Sequence, residues 1–252
     1  MINHRPQIVA HRGASQFCRE NTMAAFQRGL ADGADTIECD LRLTADRRWV
    51  IRHDADIPLK NERLRIADLT VADLGKVVPA AGIDPLPTLT ELLDWTRAER
   101  LRPVLDIKDT TGIPELIAEI EAAGLSEPPV FSSFRRSILR EIRQQCPTWP
   151  TALIVGNPRY RLVRRLMFGS FLRWAQTQGV HALHLHERWI TPGIVEAIRR
   201  AGLKSAVWTV NNPMRVTLLA MLGVDSIITD RPDLARPAVE QSNPTEKPSS
   251  AD

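Results

Sequence analysis

The segment HRGASQFCRENTMAAFQRGLADGADTIECDLRLTADRRWVIRHD, residues 11–54, contains the pattern that decides the fold. A short run of branched residues, Gln7–His11, leads into it and predicts a strand. Asn21–Ala31 begins with Asn and Thr, which suit a helix N-cap, and predicts a helix. Thr36–Thr44 then predicts a second strand. A strand, a helix and a strand in this order are typical of a parallel βαβ unit.

The same alternation continues along the chain. The predicted strands are Gln7–His11, Thr36–Thr44, Val104–Lys108, Pro129–Ser133, Ala152–Val155, Ala182–His186, Ser205–Val210 and Ser226–Thr229. The predicted helices are Asn21–Ala31, Thr88–Arg100, Pro114–Ala123, Arg136–Gln144, Pro192–Ala201 and Met214–Met221. Eight such units in 252 residues favour an α/β fold with one domain, a (β/α)8 TIM barrel, over an open doubly wound sheet.

We expect the barrel to occupy residues 1–240, followed by a disordered polar tail at residues 241–252. Trp49–Asp54 predicts a further short extended piece after the second strand. Ala55–Pro87 is the least regular stretch, and we interpret it as an excursion at the top of the barrel rather than as a separate domain.

The composition is that of a soluble globular protein, with 43% hydrophobic and 25% charged residues. A formal charge of +3 and an aromatic share of 5% do not favour a dedicated nucleic-acid binder. The three cysteines form no CxxC pair, which fits a reducing compartment better than a disulfide framework. The N-terminal segment lacks the apolar run of a signal peptide, so we expect a cytoplasmic protein.

Carboxylates recur where strands end, and barrel active sites lie at the carboxyl ends of the strands. Glu38 and Asp40 are two residues apart on a strand, so their side chains share a face. Inside a barrel they would repel each other without a cation, although a solvated pair or a salt bridge with Arg12 or Arg42 is the alternative. With Asp106 at the same rim, a divalent cation is favoured, and oxygen ligands suit Mg2+ or Ca2+.

Two histidines and two basic residues are expected at the same rim. His11 and His53 can exchange protons near neutral pH, as cleavage of a phosphodiester requires. Arg12 and Lys108 supply positive charge for a phosphate. The alternatives are structural histidines and ion pairs with the neighbouring acids, and such pairs are compatible with phosphate binding.

The quoted segment resembles the opening signature of the glycerophosphodiester phosphodiesterase family. That signature has His-Arg-Gly, Glu-Asn-Thr, Gly-Ala-Asp-x-Ile-Glu-x-Asp and His-Asp, and each element occurs here in the same order. Further matching pieces are Pro87-Thr88-Leu89, Asp106-Ile107-Lys108, Ser133-Phe134, Trp208-Thr209-Val210-Asn211, Gly223-Val224-Asp225 and Ile228-Thr229-Asp230.

The resemblance implies a barrel, a divalent cation, and hydrolysis to glycerol 3-phosphate and an alcohol. Carried over by position, it implies His11 and His53 as the acid–base pair, Glu38, Asp40 and Asp106 as metal ligands, and Arg12, Lys108 and Trp208 as substrate-binding residues. The chain departs from the family pattern at Asp106, where Glu is usual, at Arg19, where Pro is usual, and at Arg135, where Asp is usual. These departures leave the substrate in question rather than the chemistry.

The sequence therefore leaves three candidate functions. In each of them the expected partner is a small phosphorylated molecule rather than a nucleic acid. The first is hydrolysis of water-soluble glycerophosphodiesters. The second is lysophospholipase D-like cleavage of lysophospholipids, favoured by the basic amphipathic stretch Pro158–Trp174, which could rest on an anionic membrane surface or be an ordinary outer helix. The third is an inactive barrel that binds phosphorylated ligands. The head group, the preferred cation and the oligomeric state stay open.

Overall fold

The computed structural model describes residues 5–157 and 161–242, and of residues 161–166 it describes the backbone alone. The strands in these residues are β1 (Gln7–His11), β2 (Thr36–Leu43), β3 (Trp49–Ile51), β4 (Asp56–Leu59), β5 (Glu62–Arg65), β6 (Val104–Ile107), β7 (Val130–Ser133), β8 (Thr151–Val155), β9 (Ala182–His186), β10 (Lys204–Trp208) and β11 (Ser226–Thr229). The helices are α1 (Met23–Ala31), α2 (Val71–Ala80), α3 (Leu89–Ala98), α4 (Ile113–Ala122), α5 (Arg136–Gln145), α6 (Arg161–Thr177), α7 (Pro192–Arg200), α8 (Pro213–Leu222) and α9 (Pro232–Ser242).

Eight of the strands form a closed parallel barrel. Their order is β1, β2, β6, β7, β8, β9, β10 and β11, and β11 pairs with β1 to close the ring. The predicted TIM barrel is confirmed, and the predicted strands differ from the observed ones by two residues at most. Because every barrel strand runs in the same direction, their carboxyl ends meet at one rim.

The helices begin where local sequence caps them. The Thr22 side chain accepts a hydrogen bond from the backbone N–H of Ala25 at the start of α1. Thr88 and Glu91 form a reciprocal capping box at the start of α3. The predicted start of α1 at Asn21 is two residues early, because Asn21 has a φ of 60° and does not adopt the helical conformation.

The excursion between β3 and α3 is more regular than predicted. The strand β3 pairs antiparallel with β2, and β4 and β5 form a hairpin that precedes a 3-10 turn and α2. A small apolar cluster joins these pieces to β3, with Val50, Ile57, Ile66, Leu74 and Val78 all buried. The helix α2 was not predicted because Gly75 and Pro79 interrupt its pattern, and the capping box of Thr70 and Asp73 compensates locally.

The chain beyond Asp230 also contains a helix that was not predicted. The Arg-Pro-Asp sequence suggests a break, but Pro232 occupies the first turn of α9, where its missing N–H costs nothing. Helix α9 packs against α8 and against β1. Residues 243–252, the larger part of the predicted tail, lie outside the described residues.

The basic stretch Pro158–Trp174 is described in part, as the beginning and middle of α6. Arg159 and the side chains of Arg161, Arg164 and Arg165 lie outside the described residues. Phe168 and Phe171 pack against Trp189, so one face of α6 contacts the barrel as an outer helix does. No helix in the described part of the chain is long and apolar enough to cross a membrane.

We expect Gly13→Ala to destabilise the first loop, residues 12–22, which connects β1 to α1. Gly13 has a φ of 84°, and a Cβ there would lie 2.4 Å from the carbonyl carbon of Ala25 in α1. Both effects predict a loss of about 1–3 kcal/mol in the free energy of unfolding, measured by denaturant titration. Gly75→Ala is the matched control, because a Cβ at Gly75 meets nothing within 4 Å and should be neutral or slightly stabilising. An unchanged midpoint for Gly13→Ala would contradict this account of the loop.

Candidate active site

A pocket of about 190 Å3 opens at the carboxyl ends of the barrel strands. All eight residues singled out from the sequence line it, namely His11, Arg12, Glu38, Asp40, His53, Asp106, Lys108 and Trp208. Ser132, Phe134, Ile154, His184 and Ile228 complete the lining. The structure therefore brings together side chains that lie nearly 200 positions apart in sequence.

Three carboxylates form the acidic side of the pocket. Glu38 and Asp40 lie on β2, and the parallel pairing of β2 with β6 places Asp106 directly beside Asp40. One oxygen from each of the three lies within 4.8 Å of the others. All three are buried, with exposed fractions of 6%, 1% and 4% for Glu38, Asp40 and Asp106. This is a compact set of oxygen ligands of the kind that Mg2+ or Ca2+ prefers.

The carboxylates are only partly neutralised by the protein. Burial raises the pKa of Glu38 to about 7, and the charge of Asp40 adds to this rise. Burial likewise raises the pKa of Asp106 to about 6, against the opposing charge of Lys108. The buried Oδ1 atom of Asp106 has no hydrogen-bond partner among the described residues. Raised pKa values and an unpartnered oxygen fit a cluster that a divalent cation completes.

Two basic side chains hold Asp40 ionised. Lys108 Nζ lies 2.7 Å from Asp40 Oδ1 and also bonds to Asp106, while Arg12 Nε lies 3.0 Å from Asp40 Oδ2. Burial opposes the ionisation of Asp40, but Lys108 and Arg12 lower its pKa below the usual value. The expected ion pairs are therefore present, and the same cations line the pocket where a phosphate would bind.

Arg42 is not part of this cluster, and the alternative salt bridge of Arg42 with Glu38 or Asp40 is wrong. Its guanidinium pairs with Asp109, at 3.1 Å, and donates to the carbonyl oxygen of His53 at 2.7 and 3.0 Å. Arg42 thereby supports the backbone at His53.

His11 is oriented by Asp230, which follows β11. His11 Nδ1 lies 2.6 Å from Asp230 Oδ1, and the same carboxylate accepts hydrogen bonds from Ser15 and Asn211. Burial lowers the pKa of His11, but the bond to Asp230 and the charge of Glu38 outweigh it, so that the pKa is raised. A proton held on Nδ1 by Asp230 leaves Nε2 as the nitrogen that can exchange a proton with a ligand.

His53 follows β3 on the open side of the pocket. Its Nδ1 lies 2.9 Å from Asp54 Oδ1, and its side chain is 41% exposed. The hydrogen bond from His53 lowers the pKa of Asp54. Each of the two histidines thus has a carboxylate at Nδ1, although one site is buried and the other open.

An aromatic wall closes another side of the pocket. Trp208 ends β10, its Nε1 donates to the carbonyl oxygen of His184 at 3.1 Å, and Phe134 meets its ring edge-on at 5.8 Å. Burial lowers the pKa of His184 to about 4, so this histidine is neutral near pH 7. The wall offers a neutral, largely apolar surface, and Lys108 Nζ lies 5.8 Å from the centre of the Phe134 ring.

Several residues that shape the site were not singled out from the sequence. Glu20 binds Arg12 at 2.9 and 3.0 Å, and Asn21 exchanges two hydrogen bonds with Asp40. Both belong to the Glu-Asn-Thr motif, which was a signal without an assigned role. Asp230 was seen only as a residue beyond the last strand, because nothing local connects it to His11, 219 positions away.

The chain is similar to known proteins along most of its length. The model of the glycerophosphoryl diester phosphodiesterase family matches residues 11–234. A glycerophosphodiester phosphodiesterase of Caldanaerobacter subterraneus is 30% identical over 242 residues, covering 90% of this chain and 94% of that protein. The glycerophosphodiester phosphodiesterase of Bacillus altitudinis is 27% identical over 242 residues, covering 91% of this chain and 96% of its own length.

Solved structures share the fold. An Oleispira antarctica phosphodiesterase in complex with the product sn-glycerol-3-phosphate superimposes with a TM-score of 0.79 at 22% identity, covering 93% of this chain and 97% of that one. The glycerophosphodiester phosphodiesterase of Agrobacterium tumefaciens superimposes with a TM-score of 0.77 at 24% identity, covering 92% and 98%.

Proposed function

Because the chain belongs to the glycerophosphoryl diester phosphodiesterase family, we propose that it hydrolyses glycerophosphodiesters to glycerol 3-phosphate and an alcohol with the help of a divalent cation. The observation that carries the proposal is one pocket that contains two carboxylate-bound histidines, three clustered carboxylates and the basic side chains of Arg12 and Lys108. A barrel that only binds phosphorylated ligands would not need a pair of proton-exchanging groups.

Glu38, Asp40 and Asp106 are the residues that would hold the cation. Asp106 stands where the family usually has Glu, yet its unpartnered buried oxygen belongs to the same cluster as the other two carboxylates. Oxygen ligands make Mg2+ or Ca2+ the expected ions. When bound, such an ion supplies positive charge against the phosphate oxygens in the transition state.

Arg12 and Lys108 would bind the phosphate from the side of the acidic cluster. Arg12 forms an ion pair with Glu20, and Lys108 forms ion pairs with two carboxylates. These pairs hold the two basic side chains in place before the substrate binds. Positive charge that is already positioned needs no reorganisation when charge develops on the phosphate oxygens. Trp208 would pack against the glycerol portion of the substrate.

His11 and His53 would perform the proton transfers. One takes a proton from the nucleophile, and the other gives a proton to the leaving alcohol. The nucleophile is water, or it is the substrate's own glycerol hydroxyl, in which case water then opens the cyclic phosphate to give glycerol 3-phosphate. The hydrogen bonds that the two Nδ1–H groups donate to Asp230 and Asp54 support this role, because they fix the tautomers and present Nε2.

Lysophospholipids are the second candidate substrates. Phe134 lines the pocket and is 48% exposed. Its ring offers an apolar surface that an acyl chain would contact.

The experiment is to measure release of the head-group alcohol, choline or ethanolamine, from glycerophosphocholine, glycerophosphoethanolamine and a lysophospholipid with Mg2+, with Ca2+ and with EDTA. Cation-dependent release from the soluble diesters is the expected result. Faster release from the lysophospholipid would favour the second candidate. No release from any of the three by the folded protein would contradict the proposal.

We expect Asp230→Asn to lower kcat by about 10-fold to 100-fold, because His11 would lose the carboxylate that fixes its tautomer. The limb of the pH–rate profile that reports His11 should also move to lower pH, since the hydrogen bond to Asp230 raises the pKa of His11. A purely structural role for Asp230 would change the melting temperature and leave the pH profile in place. Asp233→Asn is the matched control, because Asp233 pairs with Arg231 beyond the pocket.

A further inference from the structure

A second pocket, of about 350 Å3, adjoins the active site and has no role in the mechanism above. Residues 19–22 of the first loop contribute to its lining, and the end of β3 and the excursion that follows it contribute the rest. His53 lines both this pocket and the catalytic one, so the imidazole stands at their shared boundary. We call this cavity the His53 side pocket.

The walls of the His53 side pocket are partly apolar. Ile51, Pro58, Ile83 and Leu86 contribute hydrocarbon surface. Trp208 and Phe134 line the catalytic pocket and are absent from the lining of this one. The aromatic wall and the His53 side pocket therefore offer separate surfaces to a ligand whose phosphate lies near the acidic cluster.

The acids in the lining all have partners. Glu20 binds Arg12, Asp54 binds His53, and Asp84 lies 3.6 Å from Arg19. The charges of these carboxylates are thus directed at groups other than an incoming ligand.

Arg52 is the exception among the charged groups of the lining. Its Nε is buried without a hydrogen-bond partner, and its guanidinium forms no ion pair within the described part of the chain. Asp54 and Glu20 attract its charge, but neither forms an ion pair with it. Arginine stays protonated in proteins at physiological pH, and it offers a planar fork of donors that matches a carboxylate or a phosphate.

We infer that the His53 side pocket receives the head group of the leaving alcohol and that Arg52 selects head groups that carry an anion, either a carboxylate or a second phosphate. The inference rests on the proposed function. If the glycerol end of a phosphodiester packs against Trp208, the other ester oxygen points away from that wall, toward His53. His53 then protonates the leaving oxygen, and the alcohol departs past Arg52.

Two matched pairs of substrates test this inference, with the cation supplied at saturation. Glycerophosphoserine differs from glycerophosphoethanolamine by one carboxylate, and glycerophosphoglycerol phosphate differs from glycerophosphoglycerol by one phosphate. We expect the wild-type enzyme to favour the anionic member by about tenfold or more in kcat/KM, and the preference to shrink as salt is added. The two pairs distinguish a carboxylate from a phosphate as the preferred anion.

Arg52→Gln should lower kcat/KM for the favoured anionic substrate by about tenfold and leave kcat/KM for the partner that lacks the anion within about twofold. Arg52→Lys keeps the charge without the fork and should retain part of the preference. Arg97→Gln removes an equal charge on α3, where Arg97 pairs with Asp94. It should leave kcat/KM unchanged for both substrates.

The failures are distinguishable. Hydrolysis of glycerophosphoethanolamine and glycerophosphoglycerol without any preference for their anionic partners overturns the role of Arg52 and leaves the proposed function intact. An equal loss on both members of a pair in Arg52→Gln overturns it as well, because a structural defect acts on every substrate. No hydrolysis of any of the four by the folded wild-type enzyme overturns both proposals. The wild-type ranking decides the matter even if Arg52→Gln does not fold.

Discussion

His11→Ala and His53→Ala are each expected to lower kcat by about 100-fold or more, because each removes a group that transfers a proton. His11 and His53 line the same pocket from β1 and from the end of β3, and each has a carboxylate at Nδ1. Loss of either removes one of the two proton transfers that the cleavage needs, and the other histidine cannot perform both at once. The double variant should therefore be little slower than the worse single variant, since the two act as a unit.

Steady-state release of glycerol 3-phosphate measures this effect, with circular dichroism to establish that each variant is folded. His181→Ala is the matched control, because His181 precedes β9 at the opposite end of the barrel and accepts a hydrogen bond from Thr151. It should retain the wild-type rate. A wild-type rate in folded His53→Ala would remove that residue from the mechanism and would also remove the reason for a leaving group beside it.

The barrel could be predicted because its pattern is local and repeated. Each strand carries a branched apolar run and each connection has helical spacing, so the order of elements follows from the sequence alone. The line-up of Asp40 with Asp106 then follows from parallel pairing of consecutive barrel strands. The residues predicted for the pocket lie at the carboxyl end of a strand or just beyond it, except Glu38 and Asp40, which lie within β2 because its last residues continue on to pair with β3.

The missing parts are those that depend on tertiary contacts. Asp230 reaches His11 only because β11 closes the ring on β1, and Arg42 turns to Asp109 rather than to the acidic cluster. Helix α2 is stabilised by packing on Val50 and by its capping box, and its sequence alone has weak helical character. The isolated charge of Arg52 is likewise visible only once the excursion has been placed against the first loop.

Glu38→Gln is expected to lower the affinity for Mg2+ or Ca2+ by about 100-fold or more and to abolish cation-dependent turnover, because it replaces a charged ligand with a neutral one of the same shape. Isothermal titration calorimetry measures the affinity directly, without substrate. Glu196→Gln, on the exposed surface of α7, is the control and should bind the ion as the wild type does.

The pH dependence of cation binding follows from the raised pKa of Glu38, about 7, and that of Asp106, about 6. The ion binds the ionised carboxylates, so protons compete with it below pH 7, and the wild-type affinity should rise from pH 5 to pH 8 and then level off. Glu38→Gln has lost the group that titrates near pH 7, so its weaker affinity should level off earlier, near pH 6. An affinity that does not change with pH in the wild type would contradict the ligand set.

The same substitution separates a cation site from a merely structural ion-pair cluster. A carboxyl group whose pKa is raised on folding contributes stability below its unfolded pKa and loses it as the pH rises through the folded value. Without a cation, the wild type should therefore lose stability between about pH 5 and pH 8, and Glu38→Gln should be the more stable of the two at pH 8. If Glu38 served only to accept the backbone N–H of Arg12 and to offset the charge of its guanidinium, its removal would leave that charge less well compensated and would lower the melting temperature at pH 8 instead. Added Mg2+ or Ca2+ should stabilise the wild type at pH 8 and leave Glu38→Gln almost unchanged. An ion that binds only the folded state stabilises it by an amount that increases with the ratio of the ion concentration to Kd, and Kd is much larger for the variant.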